Sequence, residues 1–316
     1  MVPPREPKYM LNSLRCVSAP RLPGFIEARV HESYLRRATE EWRDRHFLRH
    51  PDPAPGSIEL NTNDYLQISR HPSVIAARAR AIESDKDRSI MSSVFLNDGC
   101  PQRQFELEIA DHVRSEDAVL CQSGWAANVG LLQTIAGPDV PIYLDFFAHM
   151  SLHEGASSSG APTHFFRHND MAHLERCIAQ NGPGIIAVDS VYSTIGTLCP
   201  VRELVAVART YGCILVVDES HSLGTHGPQG AGVVAEHGLE SDVLFRTSSL
   251  SKAFGARGGV VACPADFVDY FRTQSRMAIF SSAVHSYEAR AFSETLRVLR
   301  RSDDARERLR ANANSL

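Results

Sequence analysis

Lys252 lies in Thr247-Ser-Ser-Leu-Ser-Lys-Ala-Phe-Gly255, and upstream an apolar run, Ile214-Leu-Val-Val-Asp218-Glu-Ser-His221, ends on an aspartate followed closely by a histidine. A lysine amine among small and hydroxylated residues can form a Schiff base with an aldehyde. A carboxylate can keep a pyridine nitrogen protonated, so that the ring draws in electrons. Together they meet the requirements of pyridoxal phosphate, and the chain reads as an enzyme.

The flanks of the lysine extend this reading. Ser248, Ser249 and Ser251 offer hydroxyls suited to a phosphate, and Gly255, Gly258 and Gly259 allow close backbone approach. Ser123-Gly124-Trp125-Ala-Ala-Asn128 opens a helical pattern, where backbone N–H groups and a serine hydroxyl can cradle a phosphate. His149, after Tyr143-Leu-Asp-Phe-Phe-Ala148, is a candidate to stack on a pyridine face, and Ser193 to contact a ring substituent. His221 could hydrogen-bond a phenolic oxygen. These also have ordinary structural readings: Asp218 as a helix cap or solvated strand end, His149 as a buried aromatic neighbour, His221 as a core or cap histidine, Ser193 as a turn serine.

The elements that must position these residues are short apolar runs: Ala118-Val-Leu-Cys121, Val140-Pro-Ile-Tyr-Leu144, Gly184-Ile-Ile-Ala-Val188, Cys213-Ile-Leu-Val-Val217, Val243-Leu-Phe245 and Gly259-Val-Val-Ala262. Helical patterns over 125–136, 173–180 and 201–210 separate several of them. The alternation predicts an α/β fold, a mostly parallel sheet with helices on both faces. In such sheets ligands collect beyond the carboxyl ends of the strands, and most of the candidate residues follow one of these runs. Ahead of the sheet, Phe25, Ile26, Val30, Tyr34, Leu35 and Trp42 recur at helical spacing until Pro51-Asp-Pro-Ala-Pro-Gly56 breaks the pattern, which predicts an N-terminal helical arm over 1–58.

The 316 residues are 43% hydrophobic and 22% charged, with a formal net charge of −4. That balance gives no general attraction for nucleic acid, and the arginine-rich stretches are interleaved with acids. Seven scattered cysteines, without a C-x-x-C pair, read as reduced thiols rather than as a disulfide framework or a metal site. No apolar run reaches the length of a membrane span, and the start, Met1-Val-Pro-Pro-Arg-Glu-Pro, lacks the apolar core of a secretory signal. A cytoplasmic enzyme without a membrane partner or a metal is expected.

In order along the chain, these motifs resemble the α-oxoamine synthase branch of the fold type I pyridoxal phosphate transferases. Asn63-Asp-Tyr-Leu66 resembles the family's substrate-contacting segment and Ser123-Gly124-Trp125 its phosphate turn. His149 matches the stacking histidine, Ser193 the cofactor-contacting serine, and Asp218-Glu-Ser-His221-Ser-Leu-Gly224 the Asp-Glu-Ala-His-Ser-Leu-Gly motif. Ser249 and Lys252 match the phosphate hydroxyl and the Schiff-base lysine, and Phe280-Ser-Ser282 the segment that reaches a partner subunit's cofactor phosphate. The spellings around 123–134, 145–152 and 217–228 are most similar to the α-hydroxyketone autoinducer synthases, which serve bacterial quorum sensing.

The resemblance implies a homodimeric acyltransferase. It would condense a medium-chain acyl-CoA with a small amino acid or S-adenosylmethionine, with loss of carbon dioxide, to an α-aminoketone. Other readings are an aminotransferase, an 8-amino-7-oxononanoate, glycine C-acetyltransferase or 5-aminolevulinate type of synthase, or a cofactor-binding protein without turnover. Two spellings depart from the family: Ser92-Ser93-Val94 stands where Gly-Ser-Arg is frequent, and Ile195 where an aspartate follows the serine. The chain ends at Leu316, where the family continues into a small domain with a carboxylate-binding arginine. The expected organisation is therefore a large domain over 59–290 and, in 291–316, only the start of a C-terminal small domain.

Overall fold

The computed structural model describes residues 22–29, 54, 56 and 62–315. The chain divides into two units, 1–60 and 61–316. In the first, residues 24–29 are helical and include Phe25 and Ile26. Val30, Tyr34, Leu35 and Trp42, on which the rest of the expected arm depends, lie outside the described residues.

The second unit is built on seven strands: β1 (Asp117–Cys121), β2 (Ile142–Asp145), β3 (Thr163–Phe166), β4 (Ile185–Asp189), β5 (Ile214–Asp218), β6 (Phe245–Ser249) and β7 (Gly259–Cys263). Their order across the sheet is β1-β7-β6-β5-β4-β2-β3, and only β7 runs antiparallel to its neighbours. The mostly parallel sheet expected from the alternation is present. Its strands read as near-continuous apolar runs because both faces are covered. Ala118 and Leu120 of β1 pack with Phe105 and Phe292 on one face, while Val119 and Cys121 pack with Leu131 and Phe271 on the other. In β4, Ile185 and Ala187 share that second cluster and Ile186 and Val188 join Tyr143 and Val217 in a third.

Two features differ from the sequence reading. β3 was not among the expected strands. It forms an edge of the sheet, and of its four residues only Phe166 is buried, so it carries no continuous apolar run to betray it. β6 begins at Phe245 and extends through Arg246-Thr-Ser-Ser249. Buried Arg246 and Thr247 within it are answered: Arg246 Nη1 donates to Val113 O at 2.5 Å, and the Thr247 hydroxyl donates to Asn128 Oδ1.

Residue 290 falls inside the helix Ser286–Arg300, whose Ala289, Phe292 and Leu296 pack in the same cluster as Phe105. The rings of Phe105, Phe254 and Phe292 meet edge-on at centroid distances of 5.3–6.0 Å. The helix Asp303–Ser315 follows, tied down by buried Arg306, which donates to Leu299 O at 2.9 Å. Among the described residues no helix is long and apolar enough to cross a membrane, and no group of three or more His, Cys, Asp or Glu could hold a metal ion.

Candidate functional site

The carboxyl ends of β4, β5 and β6 converge, with the start of the helix Gly124–Ile135, on one cavity of about 220 Å³. Asp218 is the last residue of β5 and Ser249 the last of β6, with Lys252 in the turn that follows. Of the expected site residues, Ser123, Gly124, Trp125, His149, Asp218, His221, Ser249 and Lys252 all line this cavity.

The helix Gly124–Ile135 starts here because Ser123 caps it, its Oγ accepting the Ala126 N–H at 3.0 Å. Gly124 presses so close to β6 that a Cβ on it would sit 2.6 Å from the Ser249 Cβ. Only glycine allows the helix N-terminus and the serine turn to meet. Ser249 and Ser251 hydroxyls lie 2.8 Å apart at that junction. Free N–H groups of a helix start beside two hydroxyls suit a phosphate.

Asp218 is buried and held from two sides: Oδ1 accepts the Ser220 N–H at 2.8 Å and Oδ2 the Asn128 side-chain N–H at 2.6 Å. Asn128 Nδ2 also donates to Ser151 Oγ at 2.8 Å, and its Oδ1 accepts from the Thr247 hydroxyl. Ser151 Oγ in turn lies 2.7 Å from His149 Nδ1. His149 meets Trp125 edge-on, with ring centroids 6.3 Å apart.

Asp189 ends β4 directly beside Asp218 in the sheet register and lines the same cavity. Its Oδ1 accepts the His149 N–H at 3.0 Å, while Oδ2 is buried with no partner among the described residues. Burial, reinforced by the neighbouring Asp218 charge, pushes its carboxyl well above the usual carboxylate range. Across the cavity, His221 Nδ1 lies 2.7 Å from the Tyr65 hydroxyl. Burial first, and then the positive charge of Lys252, push its imidazole down to about 4, so it is neutral at physiological pH. Burial likewise raises the Tyr65 phenol.

Three expected residues do not line this cavity. Ser193 is exposed beyond β4 and lines a second cavity of about 470 Å³, shared with Tyr65, Leu309 and Arg310; His221 borders both. Asn63 is exposed, its Oδ1 accepting from the Tyr65 hydroxyl at 3.2 Å. Ser282 is exposed too, and its carbonyl accepts from Gln122 Nε2 at 2.7 Å, which holds the 280–282 segment next to the phosphate turn. Ser92 and Ser93, at the first departure from the family spelling, both donate to Ala278 O, at 3.0 and 3.2 Å, and so brace that segment.

Sequence reasoning missed Asn128, Ser151, Asp189 and Ser220 as site residues. Asp189 had a visible signal, since it ends an apolar run just as Asp218 does. Asn128 had a weaker one, as the polar residue within the apolar stretch Ala126-Ala-Asn-Val-Gly-Leu-Leu132.

The residues present fit pyridoxal phosphate. The glycine-permitted helix start with its hydroxyls suits the phosphate, the anchored Asp218 a ring nitrogen and Lys252 an aldehyde.

The aminotransferase class I and II family description matches residues 55–316. The chain is 44% identical over 296 residues to a CAI-1 autoinducer synthase of Vibrio campbellii, which covers 93% of this chain and 75% of that one. It is 36% identical over 259 residues to an 8-amino-7-oxononanoate synthase of Chromobacterium violaceum, covering 80% of this chain and 66% of the relative. Among solved structures, a serine palmitoyltransferase from S. paucimobilis with bound PLP–myriocin superposes with a TM-score of 0.74 at 30% identity, covering 80% of this chain and 64% of that one. The chain thus spans three quarters of the Vibrio relative and slightly less than two thirds of the other two.

Proposed function

Because the chain belongs to the aminotransferase class I and II family, and within it to the α-oxoamine synthases, we propose that it binds pyridoxal phosphate and joins an acyl-CoA to an amino acid. The amino acid loses its Cα proton and its carboxyl group as carbon dioxide, a carbon–carbon bond forms to the acyl carbon, and coenzyme A leaves as the thiol. The product is an α-aminoketone. The likeness to the Vibrio synthase supports a medium-chain acyl group, a small amino acid or S-adenosylmethionine as donor, and an autoinducer precursor as product. The observation that carries this reading is the convergence of Lys252, Asp218 and the Gly124–Ser249 junction on one cavity.

Bound there, pyridoxal phosphate supplies a protonated pyridine ring that accepts the electron pair released at the substrate Cα. Ser123, Ser249 and the N–H groups at Gly124 and Trp125 would hold its phosphate, and Asp218 its ring nitrogen. Asn128 and the Ser220 N–H keep the Asp218 carboxylate from turning away. Lys252 Nζ is the amine positioned to take the Cα proton, and neutral His221 lends a ring nitrogen to the phenolic oxygen without adding a second positive charge beside Lys252. His149 and Trp125, edge-on to one another, wall one side of the cavity. Phe280-Ser-Ser282, braced at the phosphate turn yet exposed, would serve a second copy of the chain, giving a homodimer. The cytoplasm is the compartment that supplies acyl-CoA.

The test is the visible absorbance of the whole chain with pyridoxal phosphate, followed by single amino acids and then acyl-CoAs of graded length, with thiol release measured in parallel. A visible band that responds to an amino acid, with coenzyme A released only when both substrates are present, is expected. Amino-group transfer without thiol release would instead make the chain an aminotransferase. Fastest release with decanoyl-CoA, against short or dicarboxylic acyl groups, separates the autoinducer reading from the other synthases.

A further inference from the structure

We propose that Asn128 is a positioning residue that sets the tautomer of His149, by relaying the orientation of Asp218 through Ser151, so that the neutral imidazole carries its proton on Nε2. The argument is an inventory of protons. Asn128 has one donor end and one acceptor end. Its Nδ2 lies 2.6 Å from Asp218 Oδ2; turned over, the amide would set two oxygens face to face. With Nδ2 fixed there, Oδ1 faces Thr247, whose hydroxyl must donate to it. The second Nδ2 hydrogen goes to Ser151 Oγ at 2.8 Å. Ser151, having accepted there, has its single hydroxyl proton left for His149 Nδ1, 2.7 Å away. The Ser151 backbone N–H, 3.3 Å from the same nitrogen, can only donate. The backbone N–H requires a bare Nδ1, and the hydroxyl proton of Ser151, with no other acceptor among the described residues, completes the pair of donors to it.

Asn128, Ser151, Asp218 and Thr247 are each no more than 4% exposed, so the chain of bonds is shielded from bulk water. Nε2 of His149 has no hydrogen-bond partner among the described residues, and the side chain lines the cavity. The imidazole therefore offers the cavity an N–H donor rather than a lone pair, and the ligand atom opposite it must be an acceptor.

The test is a long-range proton–nitrogen correlation spectrum of the whole chain labelled with 15N-histidine, recorded with and without pyridoxal phosphate. Wild type is expected to show a protonated Nε2 and a bare Nδ1 at His149. Asn128→Asp, nearly isosteric, replaces the donor end by an acceptor. The Ser151 hydroxyl then turns to residue 128, leaving the Ser151 N–H as the one donor to Nδ1 among the described residues, and a population of His149 protonated on Nδ1 is expected to appear. Thr247→Val, which leaves Asp218 in command of the amide, is expected to keep the wild-type tautomer. A wild-type proton on Nδ1, or a folded Asn128→Asp whose tautomer is unchanged, overturns the proposal. If Asn128→Asp does not fold, the wild-type spectrum still decides. The inference rests on the proposed cofactor site only for its catalytic meaning: the spectrum without cofactor is independent of it, and a chain that fails to bind pyridoxal phosphate would remove that reading and leave the tautomer result standing.

Discussion

Glu106 and Asp189 are both buried carboxyls against the same sheet, at 0% and 2% exposure, yet their surroundings are opposite. Glu106 has its lone pairs answered: Oε2 pairs with the Arg272 guanidinium and with Arg103 Nη1 at 3.3 Å, and Oε1 accepts the Leu120 N–H of β1 at 2.9 Å. Because β1 is an edge of the sheet, that last bond covers a backbone donor otherwise open to stray pairing. Asp189 keeps one oxygen unpartnered on the wall of a cavity. Burial alone therefore does not mark function. What separates the two is the partner set: Asp189 lies at the cavity with an oxygen unanswered among the described residues. Glu219 makes the same point inside the lysine site's own motif: next to Asp218 in sequence, it points to the other side of the strand, accepts the Val234 N–H at 3.0 Å and faces Arg246, and so belongs with Glu106.

The sharpest way to break this division is to damage each side and read the other. Lys252→Ala is expected to reduce turnover by about 10⁴-fold or more, with the melting temperature nearly unchanged and noncovalent cofactor binding retained. Turnover near the parent rate would end the assignment of Lys252. Glu106→Gln is expected to do the reverse, leaving Arg272 buried without its counter-charge at a cost of about 3–5 kcal/mol in denaturant unfolding, while the surviving folded fraction still binds cofactor.

The structural side also carries a pH signature. Burial first, then the nearby Arg300 charge, push His112 down to about 4. The unfolded chain then binds the proton at higher pH than the folded one, so stability falls as pH drops from about 6.5 toward 4, by an amount of order 3 kcal/mol. His112→Gln should flatten that slope. Gly124→Ala sits on the border between the two regions, since its Cβ must displace Ser249. A loss of about 1–3 kcal/mol is expected, together with weaker cofactor binding. The smallest effect is Asp189→Asn. A carboxyl raised above its unfolded value is favourable to folding at low pH and loses that contribution as pH rises, so the variant should melt higher than wild type at pH 7, with the gap closing toward pH 4. A gap that widened on acidification would mean that Asp189 is charged in the fold.

The same contrast explains what was legible in the sequence. The parallel sheet could be read because strands buried on both faces spell themselves as unbroken apolar runs, as in Ile185-Ile-Ala-Val188. Asp218, His221 and Lys252 could be read because they follow those runs, at the edge where such sheets bind ligands. β3 could not, because an edge strand needs no apolar run, and the polar half of β6 could not, because its burial depends on partners far away in the chain. Asn128 and Ser151 were hidden for a related reason. Their meaning lies in a hydrogen-bond pattern that joins residues 128, 151, 218 and 247, and no local spacing encodes it.

The reversed strand β7 has a consequence for how the molecule is made. It is the bridge between β1 and β6, and Gly259, where a Cβ would lie 2.2 Å from Ser123 O, is the point at which the phosphate turn is clasped to the rest. Among the described strands, β1 pairs with β7 alone, so it must wait for the strand latest in the chain before it has a neighbour in the sheet. Until then the edge of β1 that pairs with β7 is open, and the helix start at Gly124 lacks its contact with Ser249. The junction at Gly124 is therefore completed only by residues far down the chain, a long-range pairing that folds late.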